Sequence, residues 1–383
     1  MMLVLALGPF GAPSSRILTH VRRSGALTRD ELARKTGLSV STVGRTVTAL
    51  AEQGLLRERP DLVPEGSVGR PNVPVDLDDA RYVTLGVHVG RRAATLALGD
   101  LRGRVIASAV LDPRGHDAAS FAVAAATGLT RLLATHSTRI ALSAGLVAPW
   151  GDVDLDRDEL TAALEGTLGL EVESWELVPA IAAAEYIARP DDLPGSTLYV
   201  YARDTVGFVM ANERPWGMEI ARAGRLSHFP AGGTARCHCG QTGCLEAVAS
   251  EYAVARAAAT GVRPVIDAAV AGDDVAHQVL CERAAVLGRV TAAVRDMLNP
   301  DRVVLCGQGF TAYPPALDVV RTSFARHSAT PGDIDVAFTR VSGEIQAVAA
   351  GTVALRRVYD DPQSALAEIG LDDATEDRGS LSR

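Results

Sequence analysis

Apolar positions recur at helical spacing in three short blocks near the N-terminus. In the first, Ile17, Leu18 and Val21 share one face and Gly25 follows as a stop. In the second, Thr28 and Glu31 are spaced as a capping box, and the short helix they open carries Leu32 and Ala33 inward as far as Gly37. In the third, Ser39 caps a helix whose buried stripe is Val40, Val43, Val47 and Leu50, ending at Gln53 and Gly54. A tight Gly-containing turn between the second and third helices is the helix-turn-helix pattern. Two short apolar runs, 55–59 and 73–77, flank a Gly/Pro-rich tip at 60–71 and predict a β-wing.

From about residue 80 the period changes. Strands are predicted at 82–89, 94–98, 105–111 and 140–147, then at 198–202, 206–211 and 302–306. Helices are predicted at 119–135 and 178–188, through most of 246–300, and at 345–358. Strands and helices mixed in this way indicate an α/β body. We place the DNA-binding unit at 14–79, a first lobe at 80–195 and a second at 196–360, with the last helix returning to the first lobe. The polar stretch 361–383 reads as a flexible tail.

Size and charge then narrow the function. A chain of 383 residues that is 47% hydrophobic fits two or three packed domains. No apolar run reaches the ~18 residues of a membrane span, and the opening MMLVLALGPFGAPS lacks the basic start of a signal peptide, so a cytoplasmic protein is expected. The net charge of −8 is unevenly divided: residues 1–70 carry +4 and the remainder −12. The positive field therefore belongs to the helix-turn-helix.

With Val43 and Val47 facing inward, Ser41, Thr42, Arg45 and Thr46 point outward near the start of the third helix, where base edges are reached in a major groove. Arg45 can bind a guanine bidentately, worth ~1–3 kcal/mol of discrimination. Arg57, Arg59 and Arg70 are placed to meet phosphates or, at the wing tip, the minor groove. One such unit binds weakly, so a homodimer on a two-fold double-stranded operator is expected. On this reading, residues 1–79 alone keep the DNA affinity of a single module.

Three of the five cysteines fall within eight residues. Cys237, Cys239 and Cys244, with His228 upstream, supply the four N/S ligands of a closed zinc tetrahedron. Free thiols leave the clustering unexplained, and a disulfide between Cys237 and Cys239 is geometrically strained. His238 sits between two ligands and is expected to face away. Cys281 and Cys306 read as ordinary buried thiols.

The wing ending Gly69-Arg70-Pro71, the run Cys237-His-Cys239-Gly-Gln-Thr-Gly243-Cys244-Leu-Glu246 and the upstream His228 together resemble the ROK family of repressors and sugar kinases. The resemblance covers nearly the whole chain. It implies an actin-like (ribonuclease H-like) two-lobed body with a cleft that holds ATP and sugar in kinases and a sugar or sugar-phosphate effector in regulators. The kinase motifs are degenerate. The Asp-x-Gly-Gly-Thr phosphate loop is replaced by His88-Val-Gly90-Arg91-Arg92, and the second phosphate loop by Ala202-Arg-Asp-Thr205-Val-Gly207. Gly307-Gln-Gly309 preserves part of a nucleotide pocket, although a strand-to-helix turn alone also needs those glycines. Where kinases carry the catalytic Asp, this chain has Val178-Pro179, and proline is no base. Of the sugar contacts that the family implies, His228 and Glu246 remain, while a sugar-binding glutamate is replaced by Arg225.

The expectation is thus a zinc-containing repressor of carbohydrate-related genes and not an enzyme, with Glu246, His228 and Arg225 facing any effector. Three readings of Arg225 stand together: it pairs with Glu246 in a collapsed pocket, the body only dimerises, or the guanidinium recognises a phosphosugar. The alternative to the whole reading is a residual ATP-dependent sugar kinase fused to a DNA-binding domain.

Overall fold

The computed structural model describes residues 3–5, 11–63, 72–188, 194–214, 217–329, 335–341 and 344–369. A short strand β1 (Leu3–Leu5) precedes three helices, α1 (Pro13–Ser24), α2 (Arg29–Thr36) and α3 (Val40–Glu52). The capping box is present: Thr28 Oγ1 accepts from the Glu31 N–H at 3.3 Å, and Glu31 accepts from the Thr28 N–H at 2.8 Å. Ser39 caps α3 by accepting from the Thr42 N–H at 3.1 Å. Val43, Val47 and Leu50 are fully buried, but Val40 is 59% exposed. It is the first residue of α3, and that turn projects beyond the cluster its neighbours fill. Strands β2 (Leu56–Glu58) and β3 (Val75–Leu77) pair antiparallel with Arg57 opposite Asp76. The wing tip, 64–71, lies outside the described residues and takes Arg70 with it.

The first lobe follows as β4 (Tyr82–Val89), β5 (Ala94–Gly99), β6 (Val105–Leu111), α4 (Ala118–Ala134), β7 (Ile140–Ala148), α5 (Arg157–Leu168), β8 (Val172–Glu176) and α6 (Leu177–Ala188). The sheet order is β6-β5-β4-β7-β8, with β4, β7 and β8 parallel and the β5–β6 hairpin antiparallel. All eight residues of β4 are buried, as expected for a central strand covered on both faces.

The second lobe comprises β9 (Gly195–Ala202), β10 (Val206–Arg214), β11 (Gly217–Arg225), α7 (Leu245–Ala249), α8 (Glu251–Ala257), α9 (Val262–Val270), α10 (Asp274–Leu298), β12 (Arg302–Cys306), α11 (Gln308–Thr311), α12 (Leu317–His327) and β13 (Asp335–Phe338). Its sheet runs β1-β11-β10-β9-β12-β13. Two compact units result: residues 5–190 with the segment from 346 onward form the first, and residues 191–345 with 1–4 form the second.

The chain returns to the first unit as α13 (Ile345–Asp360) and α14 (Pro362–Ala367). Helix α13 lies so close to β7 that a Cβ on Gly145 would sit 2.5 Å from the Ala350 carbonyl oxygen, and Ser143 donates to the Ala354 carbonyl at 2.8 Å. Residues 362–367, expected to belong to a flexible tail, instead form a helix, and 370–383 lie outside the described residues. Pro362, Ala365 and Leu366 are buried, because Asp361 caps a further turn of helix that lays them on apolar side chains.

One apolar cluster joins the helix-turn-helix to the first lobe. It contains Ile17, Val21, Leu32, Val47 and Leu77, together with Tyr82, Leu101, Leu142, Leu355, Val358, Tyr359 and Leu366. Polar contacts cross the same seam: Tyr82 donates to the Gln53 carbonyl at 2.6 Å and Ser15 to the Asp360 carbonyl at 2.7 Å. Arg22 lies over the Tyr359 ring, 5.4 Å from its centre. Residues 1–79 are thus no self-contained bead, because their core is completed by residues more than 250 positions away.

Candidate nucleic-acid interface and metal centre

Helix α3 presents Ser41 and Arg45 exposed, with Thr42 and Thr46 half-buried beside them. The Thr42 and Ser39 hydroxyls share a hydrogen bond of 2.9 Å, which ties the Thr42 hydroxyl to the cap and turns it from other partners. Exposed Val40, absent from the sequence-based set of outward residues, adds an apolar contact at the start of this face. Its outward position depends on where the buried cluster ends in space, which helical spacing alone does not reveal. Arg57 is exposed on β2.

Arg59, expected at a phosphate, is instead turned onto carboxylates. Its Nε and Nη2 donate to Asp61 at 2.8 and 2.6 Å, and its Nη1 lies 3.4 Å from Asp76. Asp61 is correspondingly held below the usual carboxylate range by these bonds. Its local partner, two positions along, wins over a distant phosphate because the chain has already brought it near.

The cysteine segment leaves β11 and folds back before α7. Cys237 N–H donates to the Gln241 carbonyl at 2.8 Å, Ala231 N–H to the Gly243 carbonyl at 2.8 Å, and Leu245 N–H to the Phe229 carbonyl at 2.9 Å. Gly240 and Gly243 both have positive φ, as a doubled-back loop requires. The ligand atoms of His228, Cys237, Cys239 and Cys244 all lie within 4.8 Å of one another. Sulfurs on a tetrahedral zinc at ~2.3 Å are ~3.75 Å apart. Cys239 and Cys244 are separated by 3.7 Å, and His228 Nδ1 stands 3.5 Å from Cys237 Sγ. The four residues therefore fit a four-coordinate ion with no position left for water.

The Gln241 N–H holds the Cys239 thiol below its ordinary range, whereas burial and the neighbouring cysteine sulfurs push Cys244 up to about 11. His238 does not face away as expected. Its ring is 5.2 Å from that of His228, and its Nδ1 is 3.8 Å from Cys237 Sγ and 4.0 Å from buried Glu246. It stands between the cysteine cluster and Glu246, which α7 carries two residues after Cys244. Arg225 ends β11 with its side chain exposed.

The degenerate kinase positions are occupied by intramolecular contacts. Arg91 donates to the Asp152 carbonyl at 3.0 Å and faces its carboxylate at 3.4 Å. Arg203, in the β9–β10 turn, lies 3.4 Å from Glu251. Val178 and Pro179 fall in the first turn of α6. Gly309 is accounted for by packing, since a Cβ there would meet the Ala202 carbonyl oxygen at 2.5 Å. Among the described residues, no helix is long and apolar enough to cross a membrane.

Known proteins resemble the chain over most of its length. The ROK family model matches residues 84–357, and the MarR family model matches residues 11–62. A transcriptional regulator of Mycobacterium tuberculosis is 35% identical over 94% of this chain and 89% of its own. The DNA-binding transcriptional dual regulator NagC of Escherichia coli is 22% identical over 77% of this chain and 80% of its own, and the Shigella flexneri relative at the same identity is named N-acetylglucosamine repressor. The crystal structure of a ROK family transcriptional regulator, a homolog of the Escherichia coli Mlc protein, superposes with a TM-score of 0.73 at 20% identity, covering 93% of this chain and 98% of that one. With a winged helix at its N-terminus and an α/β body behind it, the chain belongs to the ROK family.

Proposed function

We propose that the protein is a sequence-specific DNA-binding transcriptional regulator, a repressor of carbohydrate-related genes, whose DNA-binding unit is residues 14–79. The observation that carries this reading is the exposed α3 face of Ser41 and Arg45, flanked by Thr42 and Thr46, on a unit with its own positive charge. Arg45 reads a base, while Arg57 and Arg70 meet phosphate. The names of the relatives support regulation, and the N-acetylglucosamine repressor supports a sugar or phosphosugar as effector. Glu246, His228 and Arg225 are the effector-facing residues. His228, Cys237, Cys239 and Cys244 hold a structural zinc, which orders the loop leading into Glu246. The protein works as a homodimer, since one winged helix alone binds weakly.

Phosphoryl transfer is disfavoured by Val178-Pro179 at the base position and by the Arg91–Asp152 and Arg203–Glu251 pairs. Genome-wide binding of the tagged protein tests the reading directly: discrete peaks with a two-fold motif are expected near sugar-utilisation genes. Uniform genomic signal, or turnover in a coupled ATPase assay with a sugar panel, would overturn it.

A further inference from the structure

The β5–β6 hairpin turn belongs to the body, yet it reaches the wing. Asp100 Oδ1 accepts from the backbone N–H of both Arg102 and Arg104, at 2.9 and 2.8 Å, which fixes the turn. Tyr359 of α13 donates to the Leu101 carbonyl at 2.7 Å, anchoring the turn from below. From this platform Arg102 Nη2 donates to Asp76 on wing strand β3 at 2.6 Å, and its Nε donates to Asp79 at 3.3 Å. The Arg102 and Asp76 side chains are only 15% and 10% exposed, so the pair is shielded from salt.

Asp76 sits among competing cations. Arg57 is its direct partner across the β2–β3 ladder, with both side chains on one face of the hairpin. Arg59 lies 3.4 Å away but is engaged with Asp61. A buried carboxylate that lost its short bond would keep only the longer Arg59 contact and draw a further guanidinium. The exposed candidate is Arg57, which the DNA-binding reading assigns to phosphate.

We propose that Arg102 is a positioning residue for DNA binding: by holding Asp76 it braces the wing against the first lobe and leaves Arg57 directed outward to phosphate. This rests on residues 14–79 binding DNA. The body thereby sets the charge and attitude of the wing through one side chain, and no residue of the brace touches a base.

The test uses the full-length protein as wild type, Arg102→Ala, Arg102→Lys and Arg102→Ala with Asp76→Asn. Hydrogen exchange of the free protein reads the brace. Arg102→Ala accelerates the β2 and β3 amides while sparing α3, and Arg102→Lys restores part of the protection by reaching Asp76 alone. Binding to genomic fragments enriched by the wild type, followed across salt, reads the function. Arg102→Ala weakens binding to every sequence alike and lowers the salt slope by about one per protomer. Adding Asp76→Asn recovers affinity and slope without recovering exchange protection, a result that a purely structural role for Arg102 does not give. Unchanged exchange in Arg102→Ala, an unchanged slope, or no recovery in the double variant overturns the proposal. A wild type that binds no DNA sinks the DNA-binding reading instead, and the exchange arm still decides the brace.

Discussion

Arg45 and Arg57 are both exposed arginines, but the proposed reading gives them different chemistry, so their substitutions should separate. Arg45→Ala is expected to cost ~1–3 kcal/mol on the operator and little on random DNA, because a bidentate base contact is lost. Arg57→Ala is expected to weaken both alike. Competition of operator against random duplex distinguishes them. Asp360 gives a second prediction at this scale. Burial pushes its carboxyl up to about 6, against the neighbouring Arg356. The folded protein then binds this proton more tightly than the unfolded chain, so stability falls as pH rises from about 4 to about 6 and stays lower above. Asp360→Asn should raise the melting temperature at neutral pH and flatten that part of the profile; a parallel pair of pH–melting curves would contradict it. The His/Cys cluster was legible in the sequence because its three cysteines lie within eight residues and the loop that unites them is local. The outward Val40 and the bracing Arg102 were not, because each is decided by atoms distant in sequence or by where a cluster ends, and Arg59 was not, because its capture by nearby Asp61 depends on the turn between them.

Among elements, strands β4, β6 and β12 fall where alternation and apolar runs predicted them. Strand β11 was missed because only Met218 and Ile220 of its apolar residues are buried and its end is polar, as the strand runs out toward the metal loop. Helix α5 was missed because its two buried leucines, Leu160 and Leu164, leave a weak stripe; its clear sign is Asp156, which caps two backbone N–H groups. The cysteine loop has few backbone bonds of its own, and the proposed zinc would supply the rest of its hold. Cys239→Ser is therefore expected to abolish metal retention, measured by elemental analysis, and to raise amide exchange across 228–249 while leaving α10 protected. Exchange confined to the substituted residue would argue that the loop is ordered without the ion.

For the whole molecule, the seam between winged helix and first lobe matters more than the tally of domains. Leu366 lies in the same cluster as Ile17 and Val47, at 2% exposure. Leu366→Ala should cost about 2–5 kcal/mol and loosen the DNA-binding unit, although it is more than 300 residues from α3 in sequence. Denaturant unfolding combined with DNA binding checks this; unchanged DNA affinity in a clearly destabilised variant would show that the seam does not support α3. For the same reason an isolated 1–79 fragment is expected to melt below the intact protein, which revises the modular behaviour expected from sequence. A charge split of +4 and −12 was readable from counting alone, but the shared core was not, because it joins segments no local pattern connects.

That shared core also orders events in time. During synthesis the helix-turn-helix emerges well before Leu355, Tyr359 and Leu366, which close its core. A truncated or stalled chain therefore carries an open apolar patch where the seam should be, marking it for chaperones and proteases. Synthesis through Leu366 becomes a condition for a closed core beneath α3.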